Sequence, residues 1–200
     1  RQEALQRIRD IVRQETGSDL KSLTVNLGGA LVRNDIFADL AGDGIVSSLD
    51  GLYYLNGERQ MDNFTRMRHL GLDSNSRQIF KGILDGKSRG IFDGRIFVQE
   101  GAQKTDAVQT NRNLLLDDDA VAYAKPQLEI YADDVKCTHG ATTGRIDDEQ
   151  LFYLRSRGFN DEEARATLTY AFAGELIEEI MIEPVRTRLQ QDLMALMSAH

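Results

Sequence analysis

Ile79-Phe80-Lys81-Gly82-Ile83, then the turn around Asp85-Gly86, then Gly90-Ile91-Phe92-Asp93-Gly94-Arg95-Ile96-Phe97-Val98, is the stretch that decides the fold class. Branched and aromatic residues in runs of about five, separated by Gly and Asp, are the signature of short strands joined by tight turns. The same texture extends outward in both directions. Leu23-Thr24-Val25-Asn26-Leu27 and Gln127-Leu128-Glu129-Ile130-Tyr131 read as further strands, and Gly42-Asp43-Gly44, Asn56-Gly57, Asp93-Gly94 and Asp133-Asp134 as further turns. Turn signals recur at uneven intervals, so no repeat of fixed length stands out. On the residues alone, this segment is all-β, with a sandwich ahead of a solenoid.

After Gly144 the period changes from strand to helix. Asp147 followed by Gln150 predicts a helix start, with the helix running from Asp148 to Arg157 and ending at Gly158. Asn160 with Glu163 repeats that signal. The second helix runs to about Met181, with Ala164, Leu168, Ala171, Phe172, Leu176 and Ile180 on one face. Pro184 suits the first position of a third helix with the stripe Val185, Leu189, Leu193 and Leu196. The chain therefore divides into a β segment, 1–146, and a helical segment, 147–200. Within residues 1–16, Leu5, Ile8, Ile11 and Val12 have helical spacing.

Composition narrows the function. Two hundred residues, 41% hydrophobic, can bury one sizeable core plus a small appended domain. A formal charge of -8 lacks the basic surplus that nucleic acid or anionic membranes select. No apolar run reaches the ~18 residues of a membrane span, and the start Arg1-Gln2-Glu3 has no signal pattern. Since no initiator methionine is present, the expectation is a piece of a longer protein. One cysteine excludes an intrachain disulfide and suits a reducing cytoplasm.

That cysteine lies two residues from one of the three histidines. In an extended strand Cys137 and His139 share a face, with Cα atoms about 6.5 to 7 Å apart, close enough to converge on one metal ion. They are half a site, because zinc and iron–sulfur centres take about four ligands. His69 and His200 are distant in sequence, so the remaining ligands are expected from another chain. Lys136 is placed to lower the thiol pKa. The bland alternative is a buried cysteine and a surface histidine.

Three other motifs have structural readings. Gly82-Ile83-Leu84-Asp85-Gly86-Lys87-Ser88 is one residue short of a phosphate-binding loop and continues into strand, so it is a turn. Asp117-Asp118-Asp119 and Asp133-Asp134 lack the alternating spacing of a calcium loop. A rival reading makes Asp117, Asp119, Asp133 and Asp134 the acid and base of a polysaccharide-acting enzyme. Against it stand the lack of tryptophan and of a clear carboxylate pair. Lys104, Asp106, Gln109, Asn111 and Asn113 form a polar run through apparent strands, suited to internal side-chain ladders.

Lys125-Pro126-Gln127-Leu128-Glu129-Ile130-Tyr131-Ala132-Asp133-Asp134-Val135-Lys136-Cys137-Thr138-His139-Gly140-Ala141-Thr142 resembles the SufD branch of the SufB/SufD family of iron–sulfur cluster scaffolds. Asp147 to Gly158, Ser76-Arg77-Gln78, Lys81 to Phe92, Lys104-Thr105-Asp106 and Asn111 to Leu116 continue that resemblance, which covers roughly residues 70 to 175 without gaps. The SufB branch has Glu-His-Glu-Ala-Thr where this chain has Thr138 to Thr142, which favours the SufD branch. The resemblance implies a mainly β protein: a right-handed parallel β-helix followed by a small C-terminal α-helical domain. It reverses the order of sandwich and solenoid.

It further implies a non-enzymatic scaffold in the cytoplasm that pairs with a SufB-like subunit. Cys137 and His139 become candidate ligands of an iron–sulfur cluster held transiently at the shared interface, and this chain alone holds no cofactor stably. A SufC-like ABC-type ATPase is expected on the helical segment, with Phe172, Leu176, Ile180, Glu175, Glu178 and Glu179 as its docking face. Without its partner, the chain could form a homodimer.

Overall fold

The computed structural model describes residues 5–197. Its strands are β1 (Leu5–Gln14), β2 (Asp19–Asn26), β3 (Leu31–Leu40), β4 (Val46–Leu55), β5 (Gln60–His69), β6 (Asn75–Leu84), β7 (Arg89–Val98), β8 (Asp106–Leu115), β9 (Val121–Ile130) and β10 (Lys136–Arg145). The helices α1 (Asp148–Ser156), α2 (Asp161–Ile177) and α3 (Glu183–Met197) follow. Odd strands form one parallel sheet in the order β1-β3-β5-β7-β9, and even strands a second, β10-β8-β6-β4-β2. Each coil contributes one strand to each sheet, so the chain winds as a parallel β-helix.

A repeat does exist. Odd strands begin at Leu5, Leu31, Gln60, Arg89 and Val121, intervals of 26, 29, 29 and 32 residues. The unequal corners hide it in the sequence, as does the behaviour of Asp93-Gly94. That pair sits mid-strand in β7, paired with Phe64-Thr65 on one side and Lys125-Pro126 on the other. Where a turn was expected the strand runs on, so most strands are ten residues long rather than about five. Other turn signals hold: Gly44, Gly57 and Gly86 have φ between 62° and 64° at corners, the left-handed region that glycine adopts without cost. Corners stack on one another through bonds such as Gly44 N–H to Leu72 O at 2.9 Å and Asp85 N–H to Leu55 O at 2.8 Å.

The helical spacing at Leu5, Ile8, Ile11 and Val12 is overridden. These residues form β1, in register with β3 from Leu5 opposite Leu31 to Gln14 opposite Leu40. Ten ladder positions on a preformed strand outweigh a propensity worth tenths of a kcal/mol per residue. Residues 1–4, at the start of the β segment, lie outside the described ones, as does His200.

Burial alternates along the inner strands, so alternate residues point between the two sheets. Ile36, Leu40, Leu49, Met67, Phe80 and Phe92 make one apolar layer of that interior. Elsewhere the interior is polar: Gln109 Nε2 donates to Gln78 Oε1 on the rung below, Asn111 Nδ2 to Phe80 O, and Asn113 Nδ2 to Asn111 Oδ1 along β8. Such ladders satisfy amides that would otherwise be buried without partners. Column packing depends on alternating bulk and gap. Tyr53, Gly82 and Asn113 are successive rungs of one column, and the Tyr53 ring crosses over Gly82 to donate its hydroxyl proton to Asn113 Oδ1 at 2.9 Å.

The expected division near Asp147 coincides with the change from β10 to α1. Asp147 caps α1 by accepting from Glu149 N–H and Gln150 N–H, and Asn160 with Glu163 forms a full capping box on α2. Both were legible as spacing. On α2 the buried set is Ala164, Thr169, Ala173, Gly174, Leu176 and Ile177, while Ala171, expected inside, is exposed. The reason is that α2 is covered on two sides. It meets α3 through Leu193 and sheet two through Leu52, Tyr54 and Ile83.

Charge completes the attachment. Arg77 donates to both Glu179 carboxylate oxygens and to Asp50, and Lys21 reaches Glu179 at 2.6 Å. Lys81, nearly buried, binds Glu175 and Phe172 O and lies 5.0 Å from the centre of the Phe172 ring.

Two outcomes are expected from this packing. Gly82→Ala puts a Cβ about 2.4 Å from the Tyr53 ring. It should destabilise the protein by roughly 1–3 kcal/mol in chemical denaturation, the usual cost of overpacking. The Arg77 guanidinium holds the Glu179 carboxyl down at about 2, against about 4.3 for an unfolded glutamate. Its stabilising contribution is therefore complete above about pH 4.3 and is lost as pH falls through about 2. Glu179→Gln should lower the melting temperature at pH 7 and flatten its decline between pH 4.5 and 2.5.

Candidate metal-ligand strand at the open end of the β-helix

Strand β10 closes one end of its sheet: among the described residues it pairs with β8 alone, as β9 pairs with β7 alone. The consequence is visible along the register. Ala107, Gln109, Asn111 and Asn113 of β8 point inward and are buried. Their partners on β10 are Cys137, His139, Ala141 and Thr143, which share the inward direction. With no further coil above them, Cys137 is half-buried and the other three are exposed. Residues that would be core on any earlier coil thus form an accessible surface, flanked by unpaired backbone N–H and C=O groups.

The structure brings Cys137 and His139 onto that one surface. They differ in character. Cys137 leans on Ile96, Val98, Ala102, Ala107 and Ala132. That burial pushes the thiol pKa upward; a backbone hydrogen bond at Ala107 opposes it and the nearby Asp106 charge adds to it. The expected lowering by Lys136 is not found, because neighbours along a strand point to opposite faces and Lys136 projects away from the sulfur. His139 is exposed and its ring is open to an incoming group.

His69 is unlike it. Buried, with Nε2 at 2.8 Å from Ser76 Oγ, it has its pKa pushed down to about 4 by burial. It is a neutral core residue remote from β10. No group of three or more His, Cys, Asp or Glu side chains among the described residues is arranged to hold a metal. A site built on Cys137 and His139 draws its other ligands from elsewhere.

The remaining sequence candidates fall as follows. Gly82 to Ser88 is the end of β6 and a corner into β7, as expected for a turn. Asp117, Asp118 and Asp119 lie in the corner before β9, where Asp118 pairs with Arg145 and Asp117 accepts from Asp119 N–H. Asp133 and Asp134 lie in the corner after it. The ten residues of β9 hold these corners about 30 Å apart, far beyond the ~5–9.5 Å of a glycosidase pair. An acid of one corner cannot pair with an acid of the other as acid and base.

The proposed docking face on α2 needs revision. Leu176 is 1% exposed and packs inward, and Glu175 and Glu179 are engaged with Lys81, Arg112, Arg77 and Lys21. Phe172 carries the Lys81 ammonium, and Ile180 is half-buried. Of that set only Glu178 faces solvent without a role at sheet two, and it accepts from Gln190. The stripe was read correctly as apolar but faces the β-helix. Large apolar side chains exposed on the helical segment are instead Phe152, Tyr153, Phe159, Met181, Ile182, Val185 and Met194. Most of them fall off the packing stripes, which is their signal in the sequence; Val185, expected on the α3 stripe, is exposed.

No helix among the described residues is long and apolar enough to cross a membrane. Comparison with known proteins gives the family. The SufBD core domain model of SUF system FeS cluster assembly matches residues 2–172. Iron-sulfur cluster assembly protein SufD of Escherichia coli strain K12 is 45% identical over 163 residues, 82% of this chain and 38% of that protein. Iron-sulfur cluster assembly SufBD family protein slr0076 of a Synechocystis strain is 36% identical over 180 residues, 90% of this chain and 40% of its own length. SufD of Bacillus subtilis strain 168 is 36% identical over 152 residues, 76% of this chain and 35% of that protein. The chain thus spans about two fifths of the length of these relatives. A parallel β-helix ending in three helices, matched over most of its length by this domain, makes the chain a SufD-like member of the SufBD family of the SUF iron–sulfur cluster assembly system.

Proposed function

We propose that this chain is a scaffold half-site: its open β-helix end pairs with a SufB-like β-helix, and an iron–sulfur cluster is assembled between them. The observation that carries this reading is the exposure of His139 in the inward register of a strand with a free edge. A free parallel edge favours strand addition, which satisfies its backbone groups and brings a second set of side chains against β10. In isolation the same edge would favour a second copy of the chain. The exposed imidazole is open to iron, whereas the half-buried Cys137 thiol must be deprotonated against its raised pKa. His139 is therefore the primary ligand and Cys137 the secondary one.

The cluster is cargo, received and released, which an incomplete ligand set permits. ATP chemistry belongs to a SufC-like ATPase seated on the helical segment, where Phe152, Tyr153 and Phe159 offer it an apolar surface. Ion pairs at Arg77 and Lys81 would transmit its motion from α2 to the β-helix.

Anaerobic reconstitution with both partner subunits tests this. His139→Ala should lower cluster formation, measured as protein-bound iron and sulfide, by about tenfold or more without changing the melting temperature. Cys137→Ser should lower it less, and in wild type the thiol should react with iodoacetamide more slowly than free cysteine at pH 8. Full cluster formation by His139→Ala would remove the imidazole from the mechanism.

A further inference from the structure

Beneath His139 lies a side chain that completes no function in the core. Gln109, its Cα partner on β8, is fully buried, and its Nε2 donates to Gln78 Oε1 at 3.4 Å. Gln78 is itself fixed in orientation: its Oε1 also accepts from Thr65 Oγ1 at 2.8 Å, and its Nε2 lies 3.8 Å from Met67 Sδ. The polarity of this column passes to Gln109. Its amide nitrogen must face Gln78, and its carbonyl is turned away. Gly94 keeps room for the amide, since a Cβ there would stand 2.6 Å from Gln109 Nε2.

Gln109 Oε1 is buried and accepts no hydrogen bond. A buried carbonyl left so is unfavourable, and such groups in folded proteins find a donor. The next rung of the same column, one strand spacing of about 4.8 Å away, is His139.

We propose that Gln109 is a positioning residue for His139. Its Oε1 accepts the N–H of one ring nitrogen, which fixes a single tautomer and leaves the other nitrogen facing the open end as an unprotonated ligand. Ligating histidines characteristically have such an acceptor on their second nitrogen, and it aligns the ring and raises its basicity. The column Gln78–Gln109–His139, anchored from the facing sheet by Thr65, thereby links core packing to ligand geometry. This inference rests on the reading of His139 as a ligand.

The test is made on the chain with 15N-labelled histidine at pH 8. His139 is assigned by the signals lost in His139→Ala. Wild type should show one dominant tautomer, with widely separated nitrogen shifts. Gln109→Leu, of similar volume but without an acceptor, should bring the two shifts together, and Gln109→Glu should restore their separation. Averaged shifts in wild type, or an unaltered separation in Gln109→Leu, would overturn the proposal. A second measurement needs no change in the core: His139→Ala should move the Gln109 side-chain NH2 resonance, and an unmoved resonance would also overturn it. A locked tautomer with undiminished cluster assembly in His139→Ala would instead defeat the ligand reading alone. An averaged tautomer with assembly lost would defeat only the positioning role.

Discussion

Every strand in this molecule depends on strands from other coils for its backbone hydrogen bonds. That dependence is the constraint from which the rest follows. In-register parallel pairing places residues from successive coils directly above one another, so each inward position belongs to a column rather than to a contact pair. Columns tolerate bulk only where a neighbouring rung yields space, as Tyr53 does over Gly82. They tolerate polarity only where one amide can answer the next, as Gln109 answers Gln78. The same pairing cannot be satisfied at the last rung, which leaves β9 and β10 with a free edge.

The outward faces obey a different rule. Sheet two carries Leu52, Tyr54 and Ile83 outward, and these would be an exposed apolar patch without α2 and α3 across them. Burying Lys81 there is costly unless its charge is met, so Glu175 and Phe172 O are part of the packing as well as of the electrostatics. Glu175 of α2 and Glu179 just after it match a sheet presenting Lys21, Arg77, Lys81 and Arg112, and the helical segment is thereby tied to the β-helix.

Much of this was legible as residues. The capping signals at Asp147 and Asn160, the corner glycines and the absence of a phosphate loop all depend on local chemistry, and local chemistry is what a single sequence carries. Asp93-Gly94 misled because Gly has two uses: freedom at a corner and vacancy inside a column. The second is set by Phe92 and Gln109, which are neighbours only in space. Leu5 and Ile11 misled because helical spacing in a short apolar run is ambiguous until a template strand is available. The acids at 175 and 179 were noticed as charge but not as partners of residues about a hundred positions earlier. The family resemblance supplied the β-helix where residue patterns alone favoured a sandwich.

Cys137 and His139 were recognised by proximity in sequence, yet proximity does not distinguish them; their positions in the coil do. The interior end of β10 places the sulfur against Ile96, Val98 and Ala132, where charge is disfavoured. Two residues on, the column beneath becomes polar, and the imidazole sits above an amide with an unused acceptor. An open end built on a wholly apolar column would offer a ring free to rotate. Built on Gln109 and Gln78, it offers one whose orientation is inherited from the core, so the polarity of a buried column becomes a property of the surface.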